Sequence, residues 1–127
     1  MPEPALSAEE RAAFAAGIAQ FNDALFYECH DTLEDVWSGA RGPSRDFFQG
    51  LVQLAVAFYH LGNGNRAGAL TLLGRALARL DRYPDVYAGV ALAPLRAAAG
   101  EWRDALASGG EPPSAPPRIE ARAGEAG

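Results

Sequence analysis

Residues 44–61 carry large apolar side chains on nearly every face of a helix. At about 100° per residue, Phe47, Leu51, Leu54, Phe58 and Leu61 fall on one face, while Val52, Val56 and Tyr59 cover much of the opposite one. A helix that is apolar all round is stable in water only when other elements surround it. The rest of the chain must therefore wrap around this segment. With 127 residues there is room for one such core and not for two compact domains.

The wrapping elements read as helices. Ser7 followed three residues later by Glu10 has the form of a capping box, and Phe14, Ile18 and Phe21 keep helical spacing behind it. The turn-prone pair Asn22-Asp23 interrupts that pattern, and a second helix is predicted over residues 24–38. The loop 39–43 ends it, and Ser44 caps the apolar helix, with Asp46 favourable in its first turn. Gly62-Asn63-Gly64 is a turn, and Asn65 caps a fourth helix that carries Leu70, Leu73, Leu77 and Leu80 on one face. Arg75, Arg79 and Arg82 lie off that face and are expected to be solvated. After Tyr83-Pro84 the chain reads as irregular until Pro94 opens a fifth helix with Leu95, Trp102 and Leu106. The expected architecture is all-α, a bundle of about five helices with short antiparallel connections over residues 1–107. Residues 108–127 hold only Ile119 as a large apolar side chain, and the expectation is a disordered tail.

Charge and cysteine content exclude several functions. Sixteen acidic residues against 11 basic ones give a net charge of -5, which is not the electrostatic footprint of a nucleic-acid or anionic-membrane binder. Cys29 is the single cysteine, so no intramolecular disulfide framework exists. It reads as a small buried hydrophobe rather than a nucleophile. With no basic-apolar leader and no long apolar run in the chain, the expectation is a soluble, cytoplasmic protein.

Polar residues on inward faces are the candidates for chemistry. In the second helix His30 shares a face with Leu25, Phe26, Cys29, Leu33 and Trp37, and Glu34 lies one turn on at its edge. Glu28, Asp31 and Asp35 fall on the outer side. The apolar helix carries one polar stripe, Gln49, Gln53 and His60, in which Gln53 and His60 are nearly eclipsed. A polar group left unpaired in a core costs about 1 to 3 kcal/mol, so the stripe needs partners, and His30 and Glu34 are the nearest. Two readings stay open. His30, Glu34, Gln53 and His60 can satisfy one another as a structural network or line a ligand pocket. Alternatively, His30, Glu34 and His60 make a His₂Glu set for a divalent metal ion with one position open to water.

The blocks 26–37 (FYECHDTLEDVW), 50–60 (GLVQLAVAFYH) and 64–69 (GNRAGA) resemble the family known as domain of unknown function 309, in its order and spacing, over roughly residues 20–82. The resemblance implies a small all-helical protein of a mostly prokaryotic family with no established activity. It also implies motif positions at Glu28, His30, Glu34, Trp37, Gln53, His60 and Asn65. Asp31 stands where the family usually has glutamate, and Cys29 where alanine is common. Glu28 faces away from His30, which points to a separate partner such as Arg45 or to a role in holding a neighbouring helix. The functional expectation is a small binding or scaffold protein, self-associating or with a protein partner, whose inward polar cluster lines a pocket. The alternative is a metal-dependent hydrolase.

Overall fold

The computed structural model describes residues 1–122. Five helices follow in order: α1 (Ala8–Asn22), α2 (Phe26–Gly39), α3 (Ser44–Gly62), α4 (Arg66–Leu80) and α5 (Leu92–Ser108). A two-stranded antiparallel hairpin, β1 (Val86–Tyr87) and β2 (Val90–Ala91), precedes α5. Among the described residues no helix is long and apolar enough to cross a membrane. The all-helical expectation stands, with the hairpin as its one addition.

Local chemistry accounts for the helix ends. Ser7 Oγ accepts from the Glu10 amide at 3.0 Å, and Glu10 Oε1 accepts from the Ser7 amide at 2.9 Å, so the capping box is complete. Asn65 Oδ1 accepts from the Gly68 amide at 2.9 Å and starts α4. Ala24 takes a left-handed conformation, φ 61°, so α2 begins at Phe26, two residues later than its pattern suggested. The hairpin turns through Ala88 and Gly89, both at positive φ (52° and 74°), as a two-residue connection matching strand twist requires.

α3 is the centre of the molecule. It packs directly on α2 and α4, while Phe48 meets Phe14 of α1 edge-on at 5.2 Å and Phe58 meets Trp102 of α5 at 5.3 Å. Phe47 also meets Tyr87 of the hairpin at 4.9 Å. Edge-to-face rings add about 0.5 to 1.5 kcal/mol each beyond their buried area. Close helix approach relies on two glycines. A Cβ on Gly17 would stand 2.6 Å from Leu33 Cδ2, and one on Gly50 would stand 2.9 Å from Leu80 Cδ2. One face of α3 is less covered than its pattern suggested: Tyr59 is exposed and Val56 half-buried.

After α5, residues 109–122 run back across the bundle, and the last five residues of the tail expected over 108–127 lie outside the described residues. Ile119 is buried, and Asn22 binds its backbone twice, Nδ2 to the carbonyl at 2.9 Å and Oδ1 from the amide at 2.8 Å. Trp102 Nε1 donates to the Ala115 carbonyl at 3.1 Å. Main-chain hydrogen bonds replace the apolar burial that composition showed to be missing.

Candidate functional site

His30 and His60 both border the less covered face of α3. Together with Tyr27, Val56 and Tyr59 they line a cavity of about 110 Å³ between α2 and α3. The rings form a chain: His30 to Tyr27 at 5.9 Å, Tyr27 to Tyr59 at 5.5 Å and Tyr59 to His60 at 6.2 Å. Tyr27 is 52% exposed and Tyr59 39%, so both belong to the surface as well as to the cavity. Leu25, 45% exposed, extends this patch into a shallower depression that also takes in Tyr27, Glu28 and Tyr59.

Each histidine is held by polar partners outside the cavity. His30 Nε2 lies 3.1 Å from Glu34 Oε2, and its Nδ1 lies 3.5 Å from Asp31 Oδ1. Asp31 and Glu34 therefore bracket the ring, although the wheel set Asp31 aside as plain surface charge. His60 Nδ1 lies 3.5 Å from Asn65 Nδ2, and an amide NH₂ can only donate. That contact assigns the acceptor role to Nδ1 and leaves the N–H on Nε2. Asn65 thus caps α4 with its oxygen and orients His60 with its nitrogen.

The structure does not bring His30, Glu34 and His60 together as one ligand set. Among the described residues no group of three or more His, Cys, Asp or Glu is placed where it could hold a metal ion. Glu34 stands on the open surface engaged with His30 Nε2, and His60 turns its Nδ1 to Asn65. Cys29 is fully buried, and burial pushes its thiol up to about 12, so it does not serve the site as a nucleophile.

Gln53 leaves the cluster altogether. Its Oε1 accepts from Arg79 Nε at 3.1 Å, and Arg79 Nη1 binds Asp46 Oδ1 at 2.5 Å, while Arg82 binds the other oxygen of Asp46. Arg79 is therefore not solvated but clasps α3, while Arg75 and Arg82 are exposed as expected, Arg82 pairing with Asp46 from the open side. Asp46, Gln53 and His60 sit seven residues apart along α3, a spacing visible in the sequence that extends the polar stripe one step further than Gln49. Tyr83 completes this corner, donating to the Pro43 carbonyl at 2.5 Å; burial, with Asp46 second, raises its phenol above the usual range.

Trp37 and Glu28 also lie apart from the histidines. The Arg45 guanidinium stacks over Trp37 at 4.3 Å and donates to the carbonyls of Trp37 and Ala40. Arg45 is thereby committed to Trp37 and does not serve Glu28, which is exposed at the rim of the shallower depression. The indole Nε1 of Trp37 is buried with no hydrogen-bond partner, and nothing in its surroundings explains this.

Comparison with known proteins adds kinship without chemistry. The family model described as domain of unknown function (DUF309) matches residues 14–72, which include all three sequence blocks and both histidines. An uncharacterized protein of Aquifex aeolicus is 28% identical over 78 residues, 61% of this chain and 23% of its own length. The uncharacterized protein YpuF of Bacillus subtilis is 38% identical over 57 residues, 44% of this chain and 33% of its own. The matched part of the chain thus spans a third or less of these curated relatives.

Proposed function

We propose, for a chain whose residues 14–72 match the DUF309 family model, a role as a small helical binding domain that grips one protruding side chain of a protein partner in the cavity between α2 and α3. The observation that carries this reading is the pair of exposed tyrosines, Tyr27 and Tyr59, standing with His30 and His60 around that cavity. Drug-sized ligands need pockets of about 300 to 1,000 Å³, whereas an engineered cavity of about 150 Å³ takes a single benzene ring. At about 110 Å³ and open to solvent, this site takes the tip of one side chain rather than a whole metabolite.

The wall chemistry favours a ring that also carries a polar atom. Tyrosine faces supply apolar contact at low entropic cost, and His60 Nε2–H is the donor left over once Asn65 has taken Nδ1. A tyrosine of the partner, whose hydroxyl accepts from that N–H, satisfies both demands. The matched segment is a minor part of the two longer relatives, which suits a binding unit. Cys29, single and buried, suits a cytoplasmic setting.

The test is an NMR titration of the full chain with p-cresol as a stand-in for a tyrosine side chain, following the ring signals of His30 and His60. Saturable shifts at both, lost in Tyr27→Ser and Tyr59→Ser proteins that keep their melting temperature, are expected. Shifts that stay linear, or that survive both substitutions, would remove the cavity from consideration.

A further inference from the structure

The segment 111–122 is bound to the helical body in the way a peptide ligand is bound to a receptor. Asn22 reads both backbone atoms of Ile119, the amide at 2.8 Å and the carbonyl at 2.9 Å. Trp102 Nε1 takes the Ala115 carbonyl at 3.1 Å. The free edge of β2 adds a third strand: the Ala91 amide donates to the Glu120 carbonyl at 2.9 Å, the Arg122 amide donates to the Gly89 carbonyl at 2.9 Å, and Val90 bridges Ala121. Arg118 adds a side-chain contact the other way, Nη1 to the Asn22 carbonyl at 3.5 Å.

These contacts recognise an extended backbone rather than particular side chains, which is how strand addition to a sheet edge works. Specificity comes from two features. Ile119 is a single buried anchor, 1% exposed, with Pro117 buried two residues before it. Pro112, Pro113, Pro116 and Pro117 bias the approach toward an extended left-handed helix, and an indole N–H offered to a carbonyl of such a segment is a recurring device for reading it. Proline also lowers the entropy lost on docking, so few contacts suffice.

We propose that Asn22, Trp102 and the β2 edge form a recognition groove for an extended proline-rich segment with an aliphatic anchor, and that its occupant in trans is the 111–122 segment of a second copy of this chain. The segment known to fit is the one seated there. It follows α5 through Gly109, in the left-handed conformation at φ 73°, and Gly110, both exposed. Rotation at this pair lifts the segment as a unit, and the same contacts re-form on a neighbouring copy that has opened likewise. None of these residues lines the His30–His60 cavity.

The test uses a fluorescein-labelled peptide of residues 110–122 and the full chain carrying Ile119→Asp, which unseats its own segment. Saturable binding is expected, weakened about tenfold or more by adding Asn22→Ala, and also weaker on the wild-type chain, whose tethered segment competes at an effective concentration on the order of millimolar. Wild-type protein at rising concentration is expected to sediment as a dimer that Ile119→Asp abolishes. If Ile119→Asp fails to fold, a protease site placed between Gly109 and Gly110 and cut after folding leaves the segment bound without a covalent link. Labelled peptide must then replace it. No peptide binding by a folded variant, binding indifferent to Asn22→Ala, or a cut segment that cannot be exchanged would overturn the groove. Peptide binding by a wild-type chain that stays monomeric throughout would overturn the second copy as occupant.

Discussion

Asp46 of α3 and Arg79 of α4 meet at 2.5 Å, and the same guanidinium reaches Gln53 about two turns further along α3. Both side chains of the ion pair are about two-thirds buried, so the pair sits between the surface and core regimes. Arg79→Ala leaves both Asp46 Oδ1 and Gln53 Oε1 without this donor and is expected to cost about 1 to 3 kcal/mol in urea unfolding. Arg82, whose side chain is 59% exposed, is expected to cost under about 1 kcal/mol when replaced by alanine. Equal losses for the two would mean that Arg79 is not the clasp.

Two glycines on adjacent helices should respond to alanine with opposite signs. A Cβ at Gly50 meets Leu80 Cδ2 at 2.9 Å and Cγ at 3.0 Å, and Leu80 is fully buried with nowhere to swing. Gly50→Ala is expected to destabilise by about 1 to 3 kcal/mol through overpacking. Gly74 in α4 has nothing within 4 Å of its would-be Cβ, so Gly74→Ala is expected to gain about 0.5 to 1 kcal/mol from helix propensity alone. Thermal melts of the two variants against the wild-type chain decide it, and a shift of the same sign in both would contradict this packing of α3 on α4.

Asn65 performs two tasks that one pair of substitutions separates. Asn65→Ala loses the cap on Gly68 and is expected to cost about 1 kcal/mol. Asn65→Asp keeps an oxygen at the cap, where negative charge also suits the helix dipole, but has no N–H for His60 Nδ1. Stability is then expected to stay near wild type while the imidazole ¹⁵N shifts of His60 report loss of the Nε2–H preference. Unchanged ¹⁵N shifts in Asn65→Asp would show that Asn65 does not orient the ring.

What the residues disclosed in advance follows from the kind of force involved. Apolar periodicity announces the faces of α3 and α4, and caps such as Ser7, Glu10 and Asn65 announce helix starts, because each is a local signal. The hairpin escaped because its turn is Ala88-Gly89 rather than the Asn-Gly that betrays positive φ at both positions. The 111–122 segment escaped because its hold rests on main-chain atoms, which every residue possesses. At the site, the wheel found His30 and His60 but treated their inward phase as shared burial. Gln53 instead lies where α4 crosses, and Arg79 claims it. Arg79 was assigned to water by its charge, although three- and four-residue spacing from Arg75 to Arg82 matches the Asp46–Gln53 stripe that it clasps.

Alkali should unfold this protein through groups that are buried in their neutral form. Burial raises the Cys29 thiol from 9.0 to about 12, opposed weakly by the Phe21 backbone. Tyr83 and Tyr87 are also raised, chiefly by burial, with Asp46 adding to the first and Tyr83 and then Glu3 adding to the second. In each case the folded state holds its proton more tightly than the unfolded chain. The stability contributed by Cys29 is therefore complete below pH 9.0 and is lost as pH rises from there toward about 12, with the tyrosines joining from pH 10.0 upward. Each group contributes a slope of at most about 1.4 kcal/mol per pH unit. All 11 basic residues are arginine, so no lysine titrates across this window to blur the effect. Urea unfolding of the wild-type chain and Cys29→Ala at intervals from about pH 8 to about pH 11 is expected to give a falling curve in the first and a flatter one in the second between pH 9 and 10. Parallel curves would mean that the thiol meets water in the folded protein, contrary to its burial.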